Sequence, residues 1–78
     1  MNRIKLSGYR NPNSIIELFA SHFVDVAYVD EVLEDCVYLV ADSPSGFDRE
    51  EFVWFKEVCE LTFARYGLAG ITIELEGG

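Results

Sequence analysis

Few side chains in this sequence could do nucleophilic or acid–base chemistry. The chain has one histidine, His22, and two cysteines, Cys36 and Cys59. A cysteine becomes a nucleophile when a neighbouring imidazole lowers the pKa of its thiol. Both cysteines, however, lie in apolar segments, where a thiolate is disfavoured and cysteine behaves as a small hydrophobic residue. A histidine near a helix end is more often structural, so we expect no enzymatic activity.

The cysteine spacing also bears on metal and disulfide chemistry. Cys36 and Cys59 match neither a C-x-x-C motif nor the spacing of a zinc site. Two cysteines permit one disulfide, but a free buried pair is the usual state in an intracellular protein. We therefore expect two free thiols. No phosphate-binding loop or cluster of ligands is visible either, so we expect no cofactor.

Acidic residues are concentrated in one short segment, residues 30–35. The segment lacks the glycine and the ligand spacing of a calcium loop, and one turn rarely supplies enough oxygen ligands. We therefore expect no metal here. The segment is either a solvated hairpin or a contact for a protein partner, and its acidic residues are Asp30, Glu31, Glu34 and Asp35.

The net charge limits the classes of partner. Fourteen acidic residues against six basic ones give a formal charge of −8. Nucleic-acid binding needs a basic surface that displaces counterions, and anionic membranes also attract basic segments. The charge instead favours a basic protein partner, attracted by long-range electrostatics. We expect no direct contact with nucleic acid or membrane.

Length and apolar content predict one domain over residues 1–78. Half of the residues are hydrophobic, and 14% are aromatic. Each aromatic ring buries roughly 150–250 Å², which suits a small core without a metal or disulfide. The first residues lead into no apolar stretch of the kind found in secretion signals, and no apolar run approaches the ~18 residues of a membrane helix. We expect a cytoplasmic protein.

Hydrophobic periodicity predicts six elements, in the order strand, helix, strand, strand, helix, strand. Period-two alternation predicts strands, and three- to four-residue spacing of apolar side chains predicts helices. A capping box at Ser14 and Glu17 would open the first helix, which carries Phe23 near its end. The predicted strands are 3–7, 24–29, 36–41 and 71–76, with a hairpin turn somewhere in 30–35 and a second helix over 48–66.

The second helix has the clearest boundaries. Asp48 and Glu51 form a capping pair, and Phe47 and Phe52 occupy the positions of a hydrophobic staple. Gly67 is a natural residue to follow the last turn.

This element order resembles the ferredoxin-like, or split βαβ, fold. The resemblance implies an α+β domain with a four-stranded antiparallel sheet and two helices on one face. It also makes the first and last strands neighbours, so that Arg3 and Lys5 would share the open face with Glu74 and Glu76. The fold hosts many unrelated activities and transfers no function by itself.

The second helix carries more apolar surface than one sheet requires. Its core face would comprise Phe52, Phe55, Cys59, Thr62, Phe63 and Tyr66. Trp54, Val58 and Leu61 lie beside that face. They either cover the sheet edge or meet the first helix, or they form an exposed patch of the kind found at protein interfaces. Arg65 and Glu51 would supply a polar rim.

These features favour a small, non-enzymatic interaction domain, an adaptor or inhibitor that binds a basic protein. The candidate contact residues are those of the acidic segment 30–35 together with Trp54, Val58 and Leu61. One alternative is an acidic decoy that imitates nucleic acid, as phage-encoded inhibitors such as anti-CRISPR proteins do. A second is a structural homodimer in which the helix meets its own copy.

Overall fold

The computed structural model describes residues 2–22, 26–41, 46–68 and 70–77. The strands form one antiparallel sheet in the order β2-β3-β1-β4. This is the predicted ferredoxin-like α+β arrangement. The elements are β1 (Arg3–Ser7), α1 (Pro12–Ser21), β2 (Ala27–Val32), β3 (Cys36–Ala41), α2 (Arg49–Arg65) and β4 (Thr72–Glu76).

The core lies between one sheet face and the two helices. Ile4 and Leu6 alternate along β1 with half-buried polar residues, and both are fully buried. Phe19 of α1 packs between two rings of α2, with centroids 6.1 Å from Phe55 and 6.2 Å from Phe63. The two helices therefore cover the same sheet face through a shared aromatic cluster.

Helix α1 begins earlier than the sequence pattern predicts. Asn11 is its N-cap, since the Asn11 side chain accepts a hydrogen bond from the backbone amide of Asn13 at 3.0 Å, and Pro12 follows in the first turn. The predicted capping box at Ser14 and Glu17 is therefore wrong. Asparagine caps as well as serine does, and proline is preorganised for the first helical position, so the Asn-Pro pair starts the helix. Phe23 lies outside the described residues.

Helix α2 begins and ends as predicted. The Asp48 carboxylate accepts a hydrogen bond from the Glu51 amide at 2.8 Å, and the Glu51 side chain accepts one from the Asp48 amide. At the other end Gly67 has φ of +73°, and the Leu68 amide donates to the Phe63 carbonyl at 2.7 Å. This is the Schellman arrangement, which needs a residue tolerant of positive φ.

Acid is expected to weaken the start of α2. The Glu51 backbone hydrogen bond holds the pKa of Asp48 below its ordinary value. A lowered folded-state pKa stabilises the protein above the unfolded pKa of about 3.9, and this contribution is lost as pH falls through the folded pKa. The free energy of unfolding of wild type should exceed that of Asp48→Asn at neutral pH. The difference should shrink toward about pH 2. If denaturant titrations give the same difference in free energy of unfolding between wild type and Asp48→Asn at neutral pH and at about pH 2, the prediction is contradicted.

The β2–β3 hairpin is offset from its predicted position. Strand β2 covers 27–32 rather than 24–29, so Asp30 and Glu31 belong to the strand rather than to the turn. A register irregularity between Val29 and Glu31 accommodates the extra residue. The turn is confined to residues 33–35, and the Leu33 amide donates to the Cys36 carbonyl at 2.8 Å. The predicted strand start at Val24 lies outside the described residues.

The predicted pairing of the first and last strands is confirmed. Strands β1 and β4 are antiparallel neighbours, with Arg3 opposite Glu76 and Lys5 opposite Glu74. The Lys5 ammonium lies 3.9 Å from the carboxylate of Glu76, its diagonal neighbour. Opposite charges therefore line these two strands on the open sheet face.

Candidate interaction surfaces

The outer side of α2 exposes large apolar side chains. Trp54 is 52% exposed and Leu61 is 70% exposed, whereas Val58 between them is half-buried. The spacing of these residues, four and then three positions, places them in one row along the helix. The sheet edge and α1 therefore do not cover Trp54 and Leu61, the two largest side chains of the row. We call Trp54, Val58 and Leu61 the α2 surface.

Acidic residues border the α2 surface. Glu50 lies one helical turn before Trp54, and Glu57 lies one turn before Leu61; both are exposed. Residues four apart on a helix are neighbours on its surface. The predicted rim residues Glu51 and Arg65 are also exposed. The α2 surface is therefore an apolar row beside the carboxylates of Glu50 and Glu57, with Arg65 one turn after Leu61.

The acidic segment 30–35 is divided by the fold. Asp30 and Glu31 each lie 3.2 Å from the Arg3 guanidinium, which reaches across β3 to them. These carboxylates, Asp30 first, raise the pKa of Arg3 further above its ordinary value. Glu34 and Asp35 are exposed in the turn. Half of the predicted cluster is thus paired with a cation, whereas Glu34 and Asp35 form no such bridge to any described residue.

Tyr38 links these charges across the open sheet face. The Arg3 guanidinium stacks 3.9 Å from the centre of the Tyr38 ring, a cation–π contact. A hydrogen bond to Glu76 is the main cause that raises the pKa of Tyr38. The sequence pattern predicted that Arg3 and Lys5 would meet Glu74 and Glu76, but it did not foresee that Arg3 reaches the other edge of the sheet.

The two predicted contact regions therefore lie on opposite sides of the molecule. The α2 surface belongs to the helical layer, whereas Asp30 and Glu31 lie with Arg3 on the open face. In the part of the chain that is described, no group of three or more His, Cys, Asp or Glu side chains is arranged to hold a metal ion.

The cysteines occupy packing positions. Both are free and buried, as predicted. Burial raises the pKa of Cys59 to about 12, so this residue stays a protonated thiol at neutral pH. A thiol in that state is a poor nucleophile.

His22 joins the C-terminal ends of the two helices. It is the C-cap of α1, and its Nε2 lies 3.1 Å from the Tyr66 hydroxyl, with the rings edge to face at 5.4 Å. Tyr66 was expected in the core face of α2, but it is 53% exposed. That prediction is wrong because Tyr66 follows the last helical turn and packs laterally on the imidazole. The sequence did not predict the contact between His22 and Tyr66, because it showed only two polar aromatic residues near the ends of the predicted helices.

Comparison with known proteins adds no functional assignment. The chain matches no family model, no curated protein and no solved structure. Neither helix, within the residues described, is both long and apolar enough to cross a membrane. The case for a function therefore depends on the surfaces of this chain.

Proposed function

We propose that this protein is a non-enzymatic interaction domain that binds a basic, amphipathic helix of a partner protein along the α2 surface. The carrying observation is the exposure of Trp54 and Leu61, two large apolar side chains in one row. Tryptophan is enriched among the residues that dominate binding energy at protein interfaces. As an adaptor or an inhibitor, the domain would act through this contact alone.

The spacing of the α2 surface supports a helical partner. Side chains at Trp54, Val58 and Leu61 repeat the pattern by which one helix packs its apolar seam against another. An extended segment would not follow this row, because its side chains alternate with period two. The half-buried Val58 provides a shallow floor between two protruding side chains.

The charge around the row supports a basic partner. Glu50 and Glu57 flank the exposed apolar side chains on one side, and the whole chain carries a net charge of −8. The negative electrostatic potential of these charges accelerates the encounter with a cationic protein and disfavours binding of acidic proteins. A second copy of the chain would bring the same carboxylates together, and like charges in apposition are unfavourable.

The acidic turn is a weaker candidate for the main contact. Asp30 and Glu31 are already bridged by Arg3, so a partner would have to displace an existing ion pair. Glu34 and Asp35 contribute to attraction at long range. A cytoplasmic setting, in which thiols stay reduced, agrees with the two free cysteines.

Substitution of Leu61 tests this proposal. The probe is a synthetic amphipathic helix with a leucine seam and lysines elsewhere, titrated by calorimetry. Leu61→Glu should weaken binding about 30-fold or more, the effect of losing an interface hot spot. Because Leu61 is 70% exposed, the free energy of unfolding should change by no more than about 0.5 kcal/mol.

Val53→Glu is the matched control. Val53 lies on the same helix, is 57% exposed and lies outside the row, about 80° around the helix from Leu61. Both variants add one negative charge and thus raise the attraction for lysine, so a loss confined to Leu61→Glu reports the apolar contact. Equal binding by both variants would reject the proposal. Sedimentation equilibrium that shows a wild-type dimer, abolished by Leu61→Glu, would replace it with self-association.

A further inference from the structure

Strand β4 is an outer edge of the sheet. It pairs with β1 on one side, and no other described strand lies beyond it. In an antiparallel edge strand, alternate residues direct their amide and carbonyl groups outward, where another strand can pair with them. The opposite edge, β2, has an irregular register between Val29 and Glu31. Bulges of that kind protect edges, whereas β4 has a continuous register over Thr72–Glu76.

A groove runs beside this edge, between β4 and α2. Phe52 and Val53 of α2 line it on one side, and Leu75 of β4 lines it on the other. Phe52 and Leu75 are half-buried, and Val53 is exposed. A strand added to β4 would direct every second side chain into this groove.

Charges distinguish the two faces of such an added strand. Glu74 is exposed on β4, and the Lys5 ammonium opposite it pairs with Glu76 instead. A strand beside β4 would therefore meet carboxylates on the open face. Arg49 and Lys56 line the groove on the side of α2, and Glu74 also contributes to its lining. Two cations against one carboxylate disfavour basic side chains in the groove.

This arrangement selects one strand pattern and excludes others. Basic residues are favoured opposite Glu74, and apolar residues are favoured in the groove. A slip by one residue would place the basic side chains against Arg49 and Lys56, so the register is specified. The β4 strand of a second copy carries Glu74 and Glu76 itself, and like charges directly opposite destabilise a strand pair.

We propose that β4 and the adjoining groove bind an extended segment of a partner protein with alternating basic and apolar side chains, which adds to the sheet as a fifth strand. This mode of recognition combines backbone hydrogen bonds with side-chain pockets. The surface lies on a different side of α2 from Trp54 and Leu61. The proposal therefore does not rest on the proposed function.

Fluorescently labelled peptides test the proposal. One alternates lysine and valine, a second alternates glutamate and valine, and a third has the composition of the first arranged as a lysine block and a valine block. The block peptide measures simple attraction to an acidic protein. The alternating lysine–valine peptide should bind at least about tenfold more tightly than either of the others.

Charge reversal locates the site. Glu74→Lys should weaken binding of the lysine–valine peptide about tenfold or more and favour the glutamate–valine peptide instead. Glu17→Lys changes the net charge equally at an exposed position on α1 and should leave the preference unchanged. Leu61→Glu should also bind the peptide normally, which separates this site from the α2 surface.

Amide hydrogen exchange supplies the structural readout. Binding of the lysine–valine peptide should slow exchange of outward-facing amides in β4, because strand addition gives them acceptors. Equal affinity for the alternating and block peptides would overturn the proposal. Two other results would also overturn it. One is an equal loss of affinity for the lysine–valine peptide in Glu74→Lys and Glu17→Lys. The other is peptide binding that does not slow hydrogen exchange of the β4 amides.

Discussion

Phe55→Ala is expected to lower the free energy of unfolding by about 3–5 kcal/mol. Phe55 is fully buried, and its ring centroid lies 6.1 Å from that of Phe19 and 5.2 Å from that of Phe47. It thus joins α1 and the segment before α2 to one cluster. A domain of this length has a total stability of about 4–12 kcal/mol, so the loss removes much of it.

Urea unfolding followed by circular dichroism measures this effect. Phe55→Leu keeps part of the buried volume and should lose less, which provides a folded variant if the alanine variant is largely unfolded. Val53→Ala, two residues before Phe55 on the same helix but 57% exposed, should change stability by no more than about 0.5 kcal/mol. Similar losses for Phe55→Ala and Val53→Ala would contradict the described core.

Gly8→Ala is expected to lower the free energy of unfolding by about 2–4 kcal/mol, from backbone strain and a steric clash together. Gly8 has φ of +86°, and a Cβ there would lie 2.7 Å from the carbonyl oxygen of Gly70. The obstacle is backbone, which cannot move without disturbing the connection into β4.

Gly70→Ala separates the two causes. Gly70 has φ of +85°, but a Cβ at this position has no neighbour within 4 Å. It should therefore show only the left-handed backbone cost, about 1–2 kcal/mol. Thermal or urea unfolding that gives equal losses for the two variants would show that the close approach of Gly8 to Gly70 contributes nothing.

Local signals explain which parts of the fold were predictable. Helix α2 has a capping box at Asp48, a broad apolar face and Gly67 after its last turn, so neighbouring residues determine both ends. The pairing of β1 with β4 followed from element order and the complementary charges of the two strands. Both predictions depended on features close in sequence or on a simple rule of strand connection.

Other features depend on contacts between distant residues. The start of α1 was missed because two competing caps, Asn11 and Ser14, are compatible with the same apolar spacing. Strand β2 extends to Val32, beyond its predicted end at Val29, since its register is set by pairing with β3. The reach of Arg3 to Asp30 crosses an intervening strand, and no sequence pattern encodes it.

The candidate surfaces also differ in how far the sequence alone could predict them. The row Trp54, Val58 and Leu61 could be proposed from the sequence, because the apolar arc of α2 exceeds what one sheet needs. The acidic segment 30–35 was visible as composition, but the fold places Asp30 and Glu31 beside a cation. The groove next to β4 joins residues of two elements and emerges only from their packing.

An amide footprint of the bound probe helix tests the central claim most directly. Titration of isotope-labelled protein with the leucine–lysine helix should shift the backbone amide resonances around Trp54, Val58 and Leu61. The indole N–H of Trp54 should shift as well. The amides of Glu34 and Asp35 should change little. The largest shifts at the acidic turn, with the Trp54 indole unaffected, would contradict the assignment of the α2 surface as the binding site.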